Sequence, residues 1–187
     1  MGKWEELLKV KAKVPDDCTG LRPFVCRGFP CQSEAIIIGQ NPATKLDTNW
    51  WDFWSDERGF EYEKFTLKYS QVRPKISQMR RNFDRIRGKS IACVETNVYC
   101  NELEKGHDEE GVPNQRVIEL LLYNMPRLRA VIIFGAEARE AINELPVIRE
   151  RLDVLKGQGV MQEPLPIRAS YDSIDKMCAR IKANRLM

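Results

Sequence analysis

Residues 35–39 read Ala-Ile-Ile-Ile-Gly, and no other stretch of the chain restricts its fold so strongly. The run has no polar alternation and three of its residues are β-branched, so it predicts a strand buried on both faces. That is the situation of a parallel sheet covered by helices on each side. Gly39 and Pro42 then force a tight turn, which leaves Gln40 and Asn41 at the C-terminal end of the strand. Open α/β sheets bind their ligands at that edge. An amide placed there offers one acceptor and two donors, enough to hold a water or read the edge of a base. It cannot act as a general base.

Similar punctuation recurs along the chain. Strands are expected at 91–97, at 130–134 and, as a weaker pattern, near 160–168; helices are expected at 3–12, 60–69, 76–87, 114–124, 136–144, 147–155 and 172–184. Gly135 suits a tight βα turn. Asp172 or Ser173 suits the N-cap of the last helix, whose basic second half complements the helix dipole. This alternation predicts an α/β fold, a three-layer α/β/α sandwich with a short, mainly parallel four-stranded sheet. The 187 residues are expected to form one domain, 1–187, with 1–33 as an N-terminal helix and an irregular, Pro- and Cys-containing segment.

Composition excludes several classes. Hydrophobic content of 43% and charged content of 30% are those of a soluble globular protein. The net charge of +3 permits nucleic acid as a partner without arguing for it. Residues 1–13 alternate Leu with Lys and Glu and carry no apolar signal-peptide core. No run approaches the roughly 20 apolar residues of a membrane span, so a cytoplasmic protein is expected. With no secretion signal, the six cysteines are expected as reduced thiols. Cys18, Cys26 and Cys31 with Cys100 or His107 could supply four metal ligands, but no Cys-x-x-Cys pair is present, and neither metal nor cofactor is expected. The acidic stretch 102–110, which holds His107 and Asp108, reads as a solvated loop without a catalytic role. No Gly-x-Gly-x-x-Gly or P-loop supports a dinucleotide or NTP enzyme.

Three strand ends should therefore face one crevice: 39–43, 96–99 and the loop 168–173, Arg-Ala-Ser-Tyr-Asp-Ser. Ser170 and Ser173, beside backbone amides at a helix start, suit a phosphate, although serines there are commonly plain caps. Arg168 adds a permanent charge. Trp50, Trp51, Phe53 and Trp54 form an aromatic cluster in which at least two members are expected in the core. Arg80, Arg81, Arg85 and Arg87 share a helix with the apolar stripe Ile76, Met79, Phe83 and Ile86. Most such basic faces are solvated, and one at this place could track a phosphate backbone.

At this point the residues carry a resemblance. Gly39-Gln40-Asn41-Pro42 resembles the first motif of the uracil-DNA glycosylase superfamily, Gly-Gln-Asp-Pro or Gly-x-Asn-Pro after the first strand. Thr96-Asn97-Val98 resembles the Thr-Asn-Val that ends a central strand in the thermostable branch. Residues 168–173 are similar in spacing to the superfamily's His-Pro-Ser-x-x-Ser, and Ala130–Ile142 fits its layout; together these span residues 34–184. The departures are specific. Arg168 and Ala169 stand in the His-Pro places, Asp172 stands where an apolar wedge enters the duplex (Tyr171 is beside it), and the cysteine spacing is not that of the iron–sulfur branch. Ala43 replaces a bulky tyrosine, as in the mismatch-specific and single-strand-selective branches.

The resemblance implies hydrolysis of the N-glycosidic bond of a flipped uracil or other deaminated base, with DNA, single-stranded or damaged duplex, as partner and a monomeric protein. On that reading Asn41 holds the attacking water, and Arg168 stabilises the departing base as the catalytic cation. Asn97 reads the base edge, Phe53 or a neighbouring tryptophan stacks on its face, and Gly39, Gln40, Pro42, Ala43, Ser170 and Ser173 complete the substrate site. The alternative it implies is an inactive relative that binds nucleic acid, a base or a nucleotide in the same crevice.

Overall fold

The computed structural model describes residues 2–103 and 110–184. His107, Asp108 and Arg185 lie outside the described residues. Strand β2 (Ala35–Gly39) is buried along its whole length, because its alternating side chains enter two separate cores. Ile36 and Ile38 point into one core and Ala35 and Ile37 into the other. The apolar run needs no polar face because it has no solvent face.

Around β2 lie β1 (Phe24–Val25), β5 (Cys93–Asn97), β6 (Ala130–Phe134) and β7 (Met161–Leu165), in the order β1-β5-β2-β6-β7. The sheet thus has five strands rather than the expected four. Strands β5, β2, β6 and β7 are parallel, and β1 runs antiparallel to β5, with Phe24 opposite Thr96. The fifth strand is two residues long and sits between Pro23 and the Cys26–Gly28 turn, too short to show any periodicity. A separate hairpin, β3 (Trp54–Ser55) with β4 (Gly59–Phe60), was equally invisible for the same reason.

The helices form the outer layers: α2 (Tyr62–Val72), α3 (Gln78–Gly88), α4 (Gln115–Asn124), α5 (Ala136–Asn143), α6 (Pro146–Gly157) and α7 (Tyr171–Ala183). The chain opens with α1 (Lys3–Glu6), which widens into a π turn through Lys11. Helices α3 and α7 supply Phe83, Ile86, Ile174, Met177 and Ile181 to the core that holds Ile37. Helices α4, α5 and α6 supply Ile118, Leu121, Ile142, Ile148 and Leu152 to the core that holds Ile36. The path from β2 to β5 runs one way along the sheet and the path from β5 through β6 to β7 runs back. Right-handed crossovers then require α3 to lie on the face opposite α4 and α6. Such a reversal opens a crevice at the C-terminal strand ends.

The aromatic cluster is structural. Trp50 and Phe53 are only 2% and 3% exposed, and Trp50 Nε1 donates to the Phe24 carbonyl at 2.7 Å. Phe53 packs against Phe60 and Phe65. Helix α7 starts at Tyr171, earlier than expected, and its cap is Ser170 rather than Asp172 or Ser173. No helix among the described residues is long and apolar enough to cross a membrane.

Candidate ligand site at the strand ends

Strands β2 and β5 end side by side, with Gly39 opposite Asn97, and the chain bonds continue past both ends as Val98 and Tyr99 donate to the carbonyls of Gly39 and Gln40. Beyond this edge a cavity of about 40 Å³ is lined by Asn41, Pro42, Ala43, Asn97, Thr96, Glu95, Arg22, Tyr69, Met79, Arg80 and Phe83, among others. Asn41, in the turn after β2, and Asn97, the last residue of β5, therefore meet at one site, together with Pro42 and Ala43.

The two amides differ in freedom. Asn41 Nδ2 makes a 3.1 Å bond to the Pro42 carbonyl. The Asn97 side chain has no hydrogen-bond partner among the described residues, although its own carbonyl is held by Asn114 Nδ2 at 3.0 Å. Asn114 also bonds Thr96 Oγ1 and the Pro23 carbonyl, so the backbone beneath Asn97 is fixed while its amide is left unpaired. Gly39 makes room for that amide: a Cβ there would meet Asn97 Oδ1 at 2.6 Å. The turn after β2 is held from outside by Arg73, which donates to the Ala43 carbonyl and, at 2.8 Å, to Thr44 Oγ1.

Charge at the site comes from residues the motifs do not contain. Glu95, 6% exposed, accepts two 2.8 Å bonds from Arg80 and a further one from Arg87. Burial works against its charge, but the Arg80 and Arg87 guanidiniums outweigh burial and hold its pKa below the ordinary carboxylate value. Arg80 also lies against the faces of Tyr69 and Phe83, 5.5 Å from each centroid. Arg22, 8% exposed, sits over Phe65 and Tyr69 and donates to the Thr44 carbonyl at 2.7 Å. Burial draws its pKa down to about 10, which leaves it charged at neutral pH. Of the basic face of α3 only Arg81 is solvent-exposed: Arg80 and Arg87 turn inward, and Arg85 grips Asp175 of α7 at 2.6 and 2.7 Å.

The other expected site residues lie elsewhere. Gln40 contributes its backbone, and Phe53 is in the aromatic core rather than at the cavity. The aromatic rings that do line the cavity are Tyr69 and Phe83. Arg168 is exposed and is not among the lining residues. Its loop rests on α3, where Asn82 Nδ2 reaches the Ala169 carbonyl at 3.4 Å. Ser170 and Ser173 bond one another, with Oγ atoms 2.9 Å apart and Ser173 N donating to Ser170 Oγ at 3.2 Å, as a helix cap does. Among the described residues no group of three His, Cys, Asp or Glu side chains could hold a metal ion. Cys18, Cys26, Cys93, Cys100 and Cys178 are buried, and burial raises the thiols, Cys18 to about 12.

Arg22, Tyr69 and Glu95 escape motif reading because each belongs to a segment without a signature. Glu95 is a carboxylate in a strand that is apolar on the residues before it and buried along four of its five positions. Such a residue demands a buried cation, and α3 with its arginines was the nearest supply.

Compared with known protein families and with curated proteins, the sequence has no match. Among solved structures, the chain is similar to a Methanosarcina acetivorans protein provisionally assigned as a uracil DNA glycosylase, at 17% identity over 85% of this chain and 98% of that one, with a TM-score of 0.43. A likeness this faint leaves function to the residues themselves, which define an α/β protein with a polar, cation-lined cavity at its strand ends.

Proposed function

We propose that the chain binds a nucleobase at the ends of β2 and β5 and hydrolyses its N-glycosidic bond, as a glycosylase acting on uracil or another deaminated base in DNA. The observation that supports this most is the meeting of Asn41 and Asn97 in one cavity lined by Tyr69 and Phe83. An unpaired amide and an aromatic face are the two elements that hold a base out of its stack; the amide is free, and stacking on Tyr69 or Phe83 requires Arg80, which lies over both rings, to move aside. Asn97 reads the base edge and Asn41 holds the water. Glu95 lines the cavity, but both its oxygens are occupied by arginines, so it is no proton acceptor. Without a general base, cleavage proceeds through a dissociative, oxocarbenium-like transition state with the base leaving as an anion.

A second reading, binding without hydrolysis, is favoured by the size of the cavity. Pockets for small molecules are typically about 300–1,000 Å³, so at about 40 Å³ this one admits a ring only after Arg80, Tyr69 or Met79 shifts. Incision of oligonucleotides bearing uracil, hypoxanthine, xanthine or mismatches separates the two readings. Excision should fall roughly 100-fold or more in Asn41→Ala, the scale of a lost catalytic group, and Asn97→Ala should weaken substrate binding as well. Binding across that panel with no incision by the wild type supports the second reading and removes the first.

A further inference from the structure

A buried cation without an ion-pair partner is costly, and among the described residues Arg22 has none within bonding distance. One of its nitrogens bonds the Thr44 carbonyl, and among the described residues no carboxylate pairs with it. The nearest candidate is already taken: Glu95 is shared between Arg80 and Arg87. Arg22 and Arg80 on the cavity wall, with Arg87 behind it, therefore set three guanidiniums against a single buried carboxylate. Asp84, the other acid near this network, is exposed and faces Tyr62; Glu102 accepts from the Lys45 amide at 2.6 Å and, like Glu95, attracts Arg22 only through space, without an ion pair. Stacking on Phe65 and Tyr69 offsets part of the cost of Arg22, but it supplies no negative charge. The remaining N–H groups of Arg22 belong to a side chain that lines the same cavity as Asn41 and Asn97.

We infer that Arg22 is the charge partner of this site, and that the cavity takes a planar ring carrying delocalised negative charge between Arg22 and the Asn97 amide. The inference rests on the base-binding reading and deepens it. In hydrolysis the C1′–N bond breaks with its electron pair going to the base. Water adds at C1′, and its proton passes to the departed base or to solvent. The negative charge that develops on the ring in the first event is what Arg22 stabilises electrostatically. Delivery of Arg22 depends on β1, since the residue immediately precedes Pro23, whose carbonyl is bonded by Thr96 and Asn114.

The test compares two rings at neutral pH by calorimetry: uracil, which is neutral, and barbiturate, a pyrimidine ring already anionic. The wild type should bind barbiturate at least tenfold tighter than uracil. Arg22→Gln keeps a donor for the Thr44 carbonyl and should bring that ratio to near one while still binding uracil; Arg22→Lys should retain most of the preference. Equal binding of the two rings by the wild type overturns the inference and leaves base binding intact, as does a preference that survives in Arg22→Gln. Inorganic phosphate bound in an Arg22-dependent manner and not displaced by either ring makes this a phosphate site and also overturns it. No binding of either ring removes both the inference and the reading beneath it. A preserved barbiturate preference in a protein that incises nothing upholds the inference and removes only hydrolysis.

Discussion

Gly39 is small because Asn97 needs the space. Gly39→Ala would place a methyl group 2.6 Å from Asn97 Oδ1 and force the amide out of the cavity. We expect it to weaken ring binding as much as Asn97→Ala does, with little loss of stability because only the tip of the unpaired Asn97 side chain has to move; calorimetry and urea unfolding read the two effects separately. Glu95 belongs to the same scale. Its folded pKa lies below the unfolded value, so the ion pairs contribute fully above that unfolded value and are lost as the pH falls through the folded one. Glu95→Gln should cost about 3–5 kcal/mol at neutral pH, the price of stranding buried cations, and should flatten the acid limb of a stability–pH profile. Asn41 and Asn97 were readable from sequence because a strand end and a turn announce themselves locally. Arg22 and Tyr69 were not, because only the packing of a two-residue strand and of α2 brings them to the same place.

Among the elements, α7 and its cap distinguish two uses of the serine pair. Ser170 caps the helix through Ser173 N, so Ser170→Ala should cost about 1 kcal/mol of stability and leave binding of a free ring unchanged. A loss of oligonucleotide affinity beyond that, read by fluorescence anisotropy, would assign the hydroxyl to a phosphate instead. Long elements were legible: β2, β6 and helices α2 to α7 follow from apolar period and punctuation, the two strands at their expected bounds and the helix ends displaced by at most three residues. The two-residue strands β1, β3 and β4 carry no period. They exist because tertiary neighbours bond them, and no local pattern encodes that. The arginines of α3 failed for a related reason, since a helical wheel shows a basic face but not the carboxylate that turns two of its members inward.

At the scale of the whole molecule, the sheet separates two cores that share no side chain, so a truncation in one should spare the geometry of the other. Ile37→Ala removes a fully buried side chain beneath α3 and α7 and should cost about 2–5 kcal/mol, seen as a lower urea midpoint, with the Ile36 face and its helices retained. The sheet's outer margins have a different consequence. Met161 N donates to the Arg129 carbonyl and the Leu165 carbonyl accepts from Gly135 N, so odd positions of β7 face β6 and Pro164 faces outward. An outward proline offers no donor to an incoming strand. At the opposite margin β1 stops after Val25. Both borders are thus poor templates for cross-chain stacking, as suits a sheet this rich in isoleucine. Pro164→Val would restore the missing donor, and light scattering during slow heating should then rise earlier than in the wild type.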